Sequence, residues 1–168
     1  ELADAGCRPG PIQTVSFYLD TIMSSAGVIN FTDYTISFGT TSQATFTANN
    51  GWLPVTQRYS ADTLVLTNST KGWITHNLQS AFQWNGTDNV VVQITRSIDP
   101  AITQGAKTRY TAARNNKVIY KNDDNSDLVS FTGNGSRSAN RPDVLFGFVG
   151  YGCEGPARPI YVTVTGTP

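Results

Sequence analysis

Residues 71–94 carry the tightest constraint on what this chain can fold into. Two extended runs flank Asn85-Gly86, a dipeptide suited to tight turns, and each run alternates with the two-residue period of a strand. On the first run Trp73, Thr75 and Asn77 share one face, while Ile74, His76 and Leu78 take the other. Val90, Val92 and Ile94 line one face of the return run. The segment therefore predicts a β-hairpin inside an all-β module.

The same period recurs along the chain. Val15, Phe17 and Leu19 alternate with Thr14, Ser16 and Tyr18 over residues 12–19, and Tyr34, Ile36 and Phe38 repeat the pattern. Leu64 and Leu66 begin a third run, and turn residues at 49–51 and 68–72 punctuate the sequence. Residues 118–120 and 128–131 are shorter strand candidates, residues 144–148 a stronger one, and residues 160–165 a last one. Residues 100–114 leave room for a helical turn or two, and no internal repeat is present. Strands separated by loops of unequal length fit a β-sandwich of jelly-roll type better than a simple meander.

Length and charge narrow the class. A chain of 168 residues is expected to form a single β-sandwich domain over residues 1–168. Only 14% of residues are charged and the net charge is zero, so no basic footprint for nucleic acid exists. No long apolar run predicts membrane insertion. Ser, Thr, Asn and Gly dominate the polar residues, a bias expected of secreted β-rich modules. The chain starts at Glu1 rather than Met and finishes on Gly166-Thr167-Pro168, which predicts a bead cut from a larger multidomain protein with neighbouring domains as partners.

Cys7 and Cys153 bracket the strands. Paired, they would close a long loop worth roughly 5 kcal/mol in the loop-entropy model. Unpaired, they would be two buried thiols behaving as small hydrophobes. With one histidine, His76, and no second cysteine at ligand spacing, a zinc site is not expected.

A set of residues resembles a known family. Gly72-Trp73, Leu78, Phe82, Trp84-Asn85-Gly86, Asn89-Val90-Val91-Val92 and then Asn140-Arg141-Pro142-Asp143 before an apolar strand is similar to a pattern in modules of large secreted and cell-surface proteins of Bacteroidota. The similarity spans residues 15–148, and the stretch around Gly152, Cys153 and Arg158 resembles a motif leading to the next bead in such proteins. The resemblance implies a jelly-roll-like fold, export by the type IX route, and adhesive or hydrolase-accessory roles. It carries no catalytic residues.

Three chemistries are candidates. Trp52, Trp73 and Trp84 are candidate stacking platforms for sugar rings, because an exposed indole face offers large apolar contact at little entropic cost. The competing reading is core packing, least so for Trp52, which stands beside a turn and before Pro54. Asp123, Asp124, Asn125 and Asp127 crowd hard oxygen ligands into one loop and suit a structural Ca²⁺, although a solvated turn is simpler and the EF-hand spacing is absent. Asp88 and Asn89 form a second acidic pair. Catalysis is not expected: the two Glu, Glu1 and Glu154, lie near the termini, and His76 has no Gly-x-Ser-x-Gly elbow to serve.

The expected function is a non-catalytic module of a secreted or cell-surface bacterial protein, used in adhesion or as a spacer. The alternative is a carbohydrate-binding module attached to a polysaccharide-active enzyme. Its partners would be a polysaccharide or another surface component, with no cofactor beyond the structural Ca²⁺.

Overall fold

The computed structural model describes residues 2–23, 27–47, 51–97, 105–112, 116–121 and 134–149. Among these, the strands are β1 (Gly10–Ile22), β2 (Val28–Thr41), β3 (Thr56–Thr67), β4 (Gly72–Trp84), β5 (Asn89–Ser97), β6 (Ala106–Thr108), β7 (Tyr110–Ala112), β8 (Val118–Tyr120), β9 (Ser136–Ser138), β10 (Asn140–Pro142) and β11 (Val144–Phe148). A 3₁₀ turn at Asn68–Thr70 links β3 to β4. The fold is an all-β sandwich. One sheet has the order β11-β1-β4, and β6 pairs with the far end of β1. The other has the order β3-β2-β5, and two short ribbons, β7 with β10 and β8 with β9, complete the described structure.

The core lies where the inward faces of the two large sheets meet. Ile12, Val15, Phe17 and Leu19 of β1 oppose Tyr34, Ile36 and Phe38 of β2, all buried. Contacts cross the gap directly: the Phe38 ring is 5.2 Å from Phe82 of β4 and 6.2 Å from Phe146 of β11. Burying aromatic and branched side chains from both sheets in one layer supplies the main driving force, about 1.5–3 kcal/mol for each large side chain.

Two long strands keep their apolar side inward by bulging. In β1 the buried positions run Ile12, then Val15, Phe17 and Leu19, then Ile22, changing parity twice. The register slips between Ile12 and Thr14 and again between Leu19 and Thr21. β2 changes parity between Phe31 and Tyr34, where Asp33 takes a positive φ of 47° and the pairing with β5 slips between Thr32 and Thr35. An extra residue turns the following side chains over, and the twist it adds wraps the sheet around the core.

The Asn85-Gly86 hairpin is corrected. β4 pairs with β1 and β5 pairs with β2, so the turn arches from one sheet to the other. Its closure is local: Asn85 Oδ1 accepts the Thr87 and Asp88 N–H groups, and Trp84 Nε1 donates to the Asp88 carbonyl at 2.7 Å. Gly86 supplies the positive φ of 86°. A turn satisfied by its own side chains does not need its flanking strands to pair, and Trp84 and Val90 both face the core from opposite sides. The helical turn expected within residues 100–114 is also corrected over its described part, where β6 and β7 stand. Residues 128–131 and 160–165 lie outside the described residues.

Candidate functional site

The outer face of the β3-β2-β5 sheet carries the site. Because Ile36 and Phe38 point into the core, Thr35 and Ser37 between them point out. Register then decides their neighbours: Ser37 faces Gln57 of β3 and Gln93 of β5, and Thr35 faces Thr95 of β5. The result is a Gln57–Ser37–Gln93 rung across three strands with a Thr35–Thr95 rung beside it, the two threonine hydroxyls hydrogen-bonded to each other. These five side chains, with Trp52 and Leu53, line an open groove of about 350 Å³. That volume lies within the range of roughly 300–1,000 Å³ typical of small-ligand sites.

The Trp52 wall depends on two glycines. The segment just before β3 passes over β2 at Gly39, where a Cβ would stand 2.3 Å from the Pro54 carbonyl oxygen and 3.2 Å from Val55 Cγ1. On its other side Trp52 rests against the β8–β9 ribbon. A Cβ at Gly135 would come within 2.8 Å of Trp52 Cζ2 and of the Tyr120 carbonyl oxygen. The ribbon is itself anchored: Arg137 Nη1 donates to the carbonyls of Phe46 and Thr47 at 3.2 and 3.1 Å, and the Phe46 N–H donates to Asn116 O. Trp52 is half-buried, one part packed on this ribbon and another lining the groove.

Trp73 lies on the outer face of the other sheet, with Thr75 and Asn77, on the side the alternation predicts. Its surroundings differ. The Tyr18 ring meets it edge-on at 5.4 Å, and the Arg109 guanidinium lies 3.7 Å from the Tyr18 ring centre and 5.8 Å from that of Trp73. Arg109 Nε pairs with Asp143 Oδ2 at 3.0 Å, and Thr111 Oγ1 donates to Asp143 Oδ1 at 2.8 Å. The cluster ties β7 and the turn before β11 to the Tyr18–Trp73 pair, so Trp73 is packed among side chains of its own chain. Trp84 is a correction: at 3% exposure, against Phe148, it is a core residue with no face for a ligand.

His76 is buried among Phe17, Tyr34 and Tyr59, with ring centres 6.2, 5.5 and 5.0 Å away. Removal from water holds its pKa below the usual imidazole value. Burial pushes the Tyr34 hydroxyl up for the same reason, and the Tyr59 hydroxyl adds to it. A neutral imidazole stacked on Tyr34 and met edge-on by Tyr59 in the core is a packing group.

Asp123, Asp124, Asn125 and Asp127 lie outside the described residues, as does Cys153. Among the described residues no three His, Cys, Asp or Glu side chains gather as a metal cage. Asp88 spends one carboxylate oxygen on Asn85 Nδ2 at 2.8 Å, closing the arch. Cys7 is buried at the edge of the core. No helix among the described residues is long and apolar enough to cross a membrane.

Thr35, Ser37, Leu53, Gln57, Gln93 and Thr95 were not distinguishable as site residues from sequence. Thr35 and Ser37 were legible as outward-facing, opposite Tyr34, Ile36 and Phe38. The glutamines were not, because only pairing between distant strands brings them alongside. Compared with protein-family models, curated proteins and solved structures, the chain matches none.

Proposed function

We propose that this chain is a non-catalytic module of a secreted or surface-displayed bacterial protein, acting in adhesion and built as a rigid bead. One observation carries the reading. The first and last described strands of the sandwich, β1 and β11, are antiparallel partners, with Ile12 opposite Phe148 and the Val149 N–H donating to the Pro11 carbonyl. The start of β1 and the end of β11 therefore stand side by side at one pole. Strand ends that meet at one pole suit a bead held from that pole. The resemblance of residues 15–148 to Bacteroidota surface modules supports the same reading and a jelly-roll wrapping of the strands.

Antiparallel partners leaving side by side open by peeling when pulled, one ladder bond at a time. A covalent tie at that pole resists it. Cys7 stands as far before Ile12 in sequence as Cys153 stands after Phe148, so the ladder supports a Cys7–Cys153 disulfide there. Such a tie belongs to an oxidising compartment.

A second reading, a carbohydrate-binding module serving an attached enzyme, draws on the groove beneath Trp52. Retention of the purified chain on bacterial and host cell surfaces tests the adhesive reading. Saturable retention is expected. Turnover of a glycan or peptide by the chain alone, lost on Asp143→Asn, would overturn it. Removing the tie by Cys7→Ser with Cys153→Ser is expected to lower the melting temperature under non-reducing conditions and leave the reduced protein unchanged.

A further inference from the structure

We infer that the groove on the outer face of the β3-β2-β5 sheet is a binding site for an uncharged glycan, with Trp52 as the apolar platform and the Gln57–Ser37–Gln93 rung as the polar reader. The inference deepens the adhesive reading by naming its ligand class and contact face.

The chemistry of the lining selects the ligand. Gln57 and Gln93 each present an amide able to donate and accept at once, Ser37 presents a hydroxyl that does the same, and the Thr35–Thr95 pair, one O–H spent between them, keeps one donor and free lone pairs. Among the described residues that line the groove no side chain is charged. Such a set offers no opposite charge to offset the desolvation of a carboxylate, sulfate or ammonium, and it matches vicinal hydroxyls, which also donate and accept. Trp52 and Leu53 add the apolar surface on which the C–H face of a pyranose packs. The described lining, with its mixed donors and acceptors beside an aromatic wall, suits a neutral polyol.

Backbone geometry argues against an extended peptide. β2 has both edges occupied, by β3 and by β5, so the floor of the groove has no ladder hydrogen bonds to offer. Strand addition needs such an edge. The floor must recognise its ligand by side chains alone. Ser37, only 9% exposed, fixes the bottom, and the glutamines on the flanking strands set the width of the rung.

The wall is also held in advance of binding. Gly39 lets residues 52–55 lie directly on β2, and Gly135 lets the β8–β9 ribbon close behind the indole. A platform fixed by packing loses little freedom when a ligand arrives.

Affinity electrophoresis of the whole chain tests the assignment, through gels containing a neutral β-glucan, mannan or xylan, an acidic polygalacturonate, or gelatin as a peptide probe. Retardation by at least one neutral polymer is expected. Trp52→Ala should weaken it about tenfold or more, as removal of a buried aromatic anchor does elsewhere. The paired Gln57→Ala and Gln93→Ala variant, altered only on the sheet face, should weaken it without disturbing the wall, and Trp73→Ala should leave it unchanged. Retardation by gelatin or polygalacturonate alone, by no polymer, or equally for wild type and both groove variants would overturn the inference. Cell-surface retention separates the two claims: equal retention of wild type and Trp52→Ala keeps the adhesive reading and removes the groove, whereas no retention of wild type removes the adhesive reading.

Discussion

The two outer faces of the sandwich each carry a half-buried tryptophan among hydroxyl and amide side chains, and the two are packed in different ways. On the β11-β1-β4 face, Trp73 is met by Tyr18 and Arg109, and Arg109 is in turn held by Asp143. On the β3-β2-β5 face, Trp52 rises beside an open groove lined by Thr, Ser and Gln. The comparison teaches that a polar strand face does not make its aromatic residue a binding residue. What matters is whether the chain returns to cover it. Arg109, between β6 and β7, lies over Tyr18 and near Trp73, whereas the β8–β9 ribbon packs against one side of Trp52.

The largest effect should couple the faces, since both rest on one core. Phe38, 1% exposed, touches Phe82 and Phe146 of the opposite sheet. Phe38→Ala is expected to cost about 3–5 kcal/mol in chemical denaturation. Loss of glycan retention together with loss of the Trp73 fluorescence environment would follow. Loss on one face alone would show that the sheets are energetically separate.

A smaller effect should separate the faces. A side chain at Gly39 meets the Pro54 carbonyl at 2.3 Å, too close for accommodation without moving residues 52–55. Gly39→Val should cost about 1–3 kcal/mol, the usual range for overpacking. Glycan retention should fall with it while the Trp73 cluster keeps its near-ultraviolet circular dichroism. Unchanged retention would mean that the wall does not position the ligand.

Acid should return both faces to a common fate. His76 lies between the sheets with its pKa lowered by burial, so the unfolded chain binds a proton at a pH where the folded chain does not. Stability from this group is therefore complete above about pH 6.5 and falls as pH drops from there toward the lower folded value. Tyr34, shifted upward by burial, acts at the other end: its contribution is complete below about pH 10 and falls above it, where the unfolded phenol ionises first. Melting temperatures against pH, for wild type and His76→Phe, check the acid side. The drop below pH 6.5 should flatten in the variant, and an equal drop in both would assign it to other groups.

The smallest expected effect is on the covered face. The Arg109–Asp143 pair is partly exposed, 49% and 26%, so solvent screens it. Arg109→Ala should cost under about 1 kcal/mol. It should also raise iodide quenching of tryptophan fluorescence by uncovering Trp73, with glycan retention unchanged. A gain of retention on this variant would show that Arg109 was the only obstacle between the two faces.

What could be read from residues alone was local. Side-chain direction follows the two-residue period of an extended backbone, so Val15, Phe17 and Leu19 inward, Trp73 outward and Trp52 beside a turn were all legible, and with them the all-β class. The period also failed locally where an extra residue reversed it, at Asp33 and beside Thr14, because a bulge is stabilised by the partner strand and leaves no mark in the alternation itself.

Partnership was not local, and the fold and site depend on it. Alternation on both sides of Asn85-Gly86 is the same for a hairpin as for an arch between sheets. Only the competition of β1 and β2 for β4 and β5 chose the arch. Trp84 had the same sequence setting as a platform residue, and packing against Phe148 made it core. Gln57, Ser37 and Gln93 became one rung because register joins residues far apart in the chain. The sequence by itself determined which way each strand faces, since that is set by neighbouring dihedrals. The tertiary structure decided which strands stand side by side and what each aromatic packs against, since those follow from burying every inward face at once.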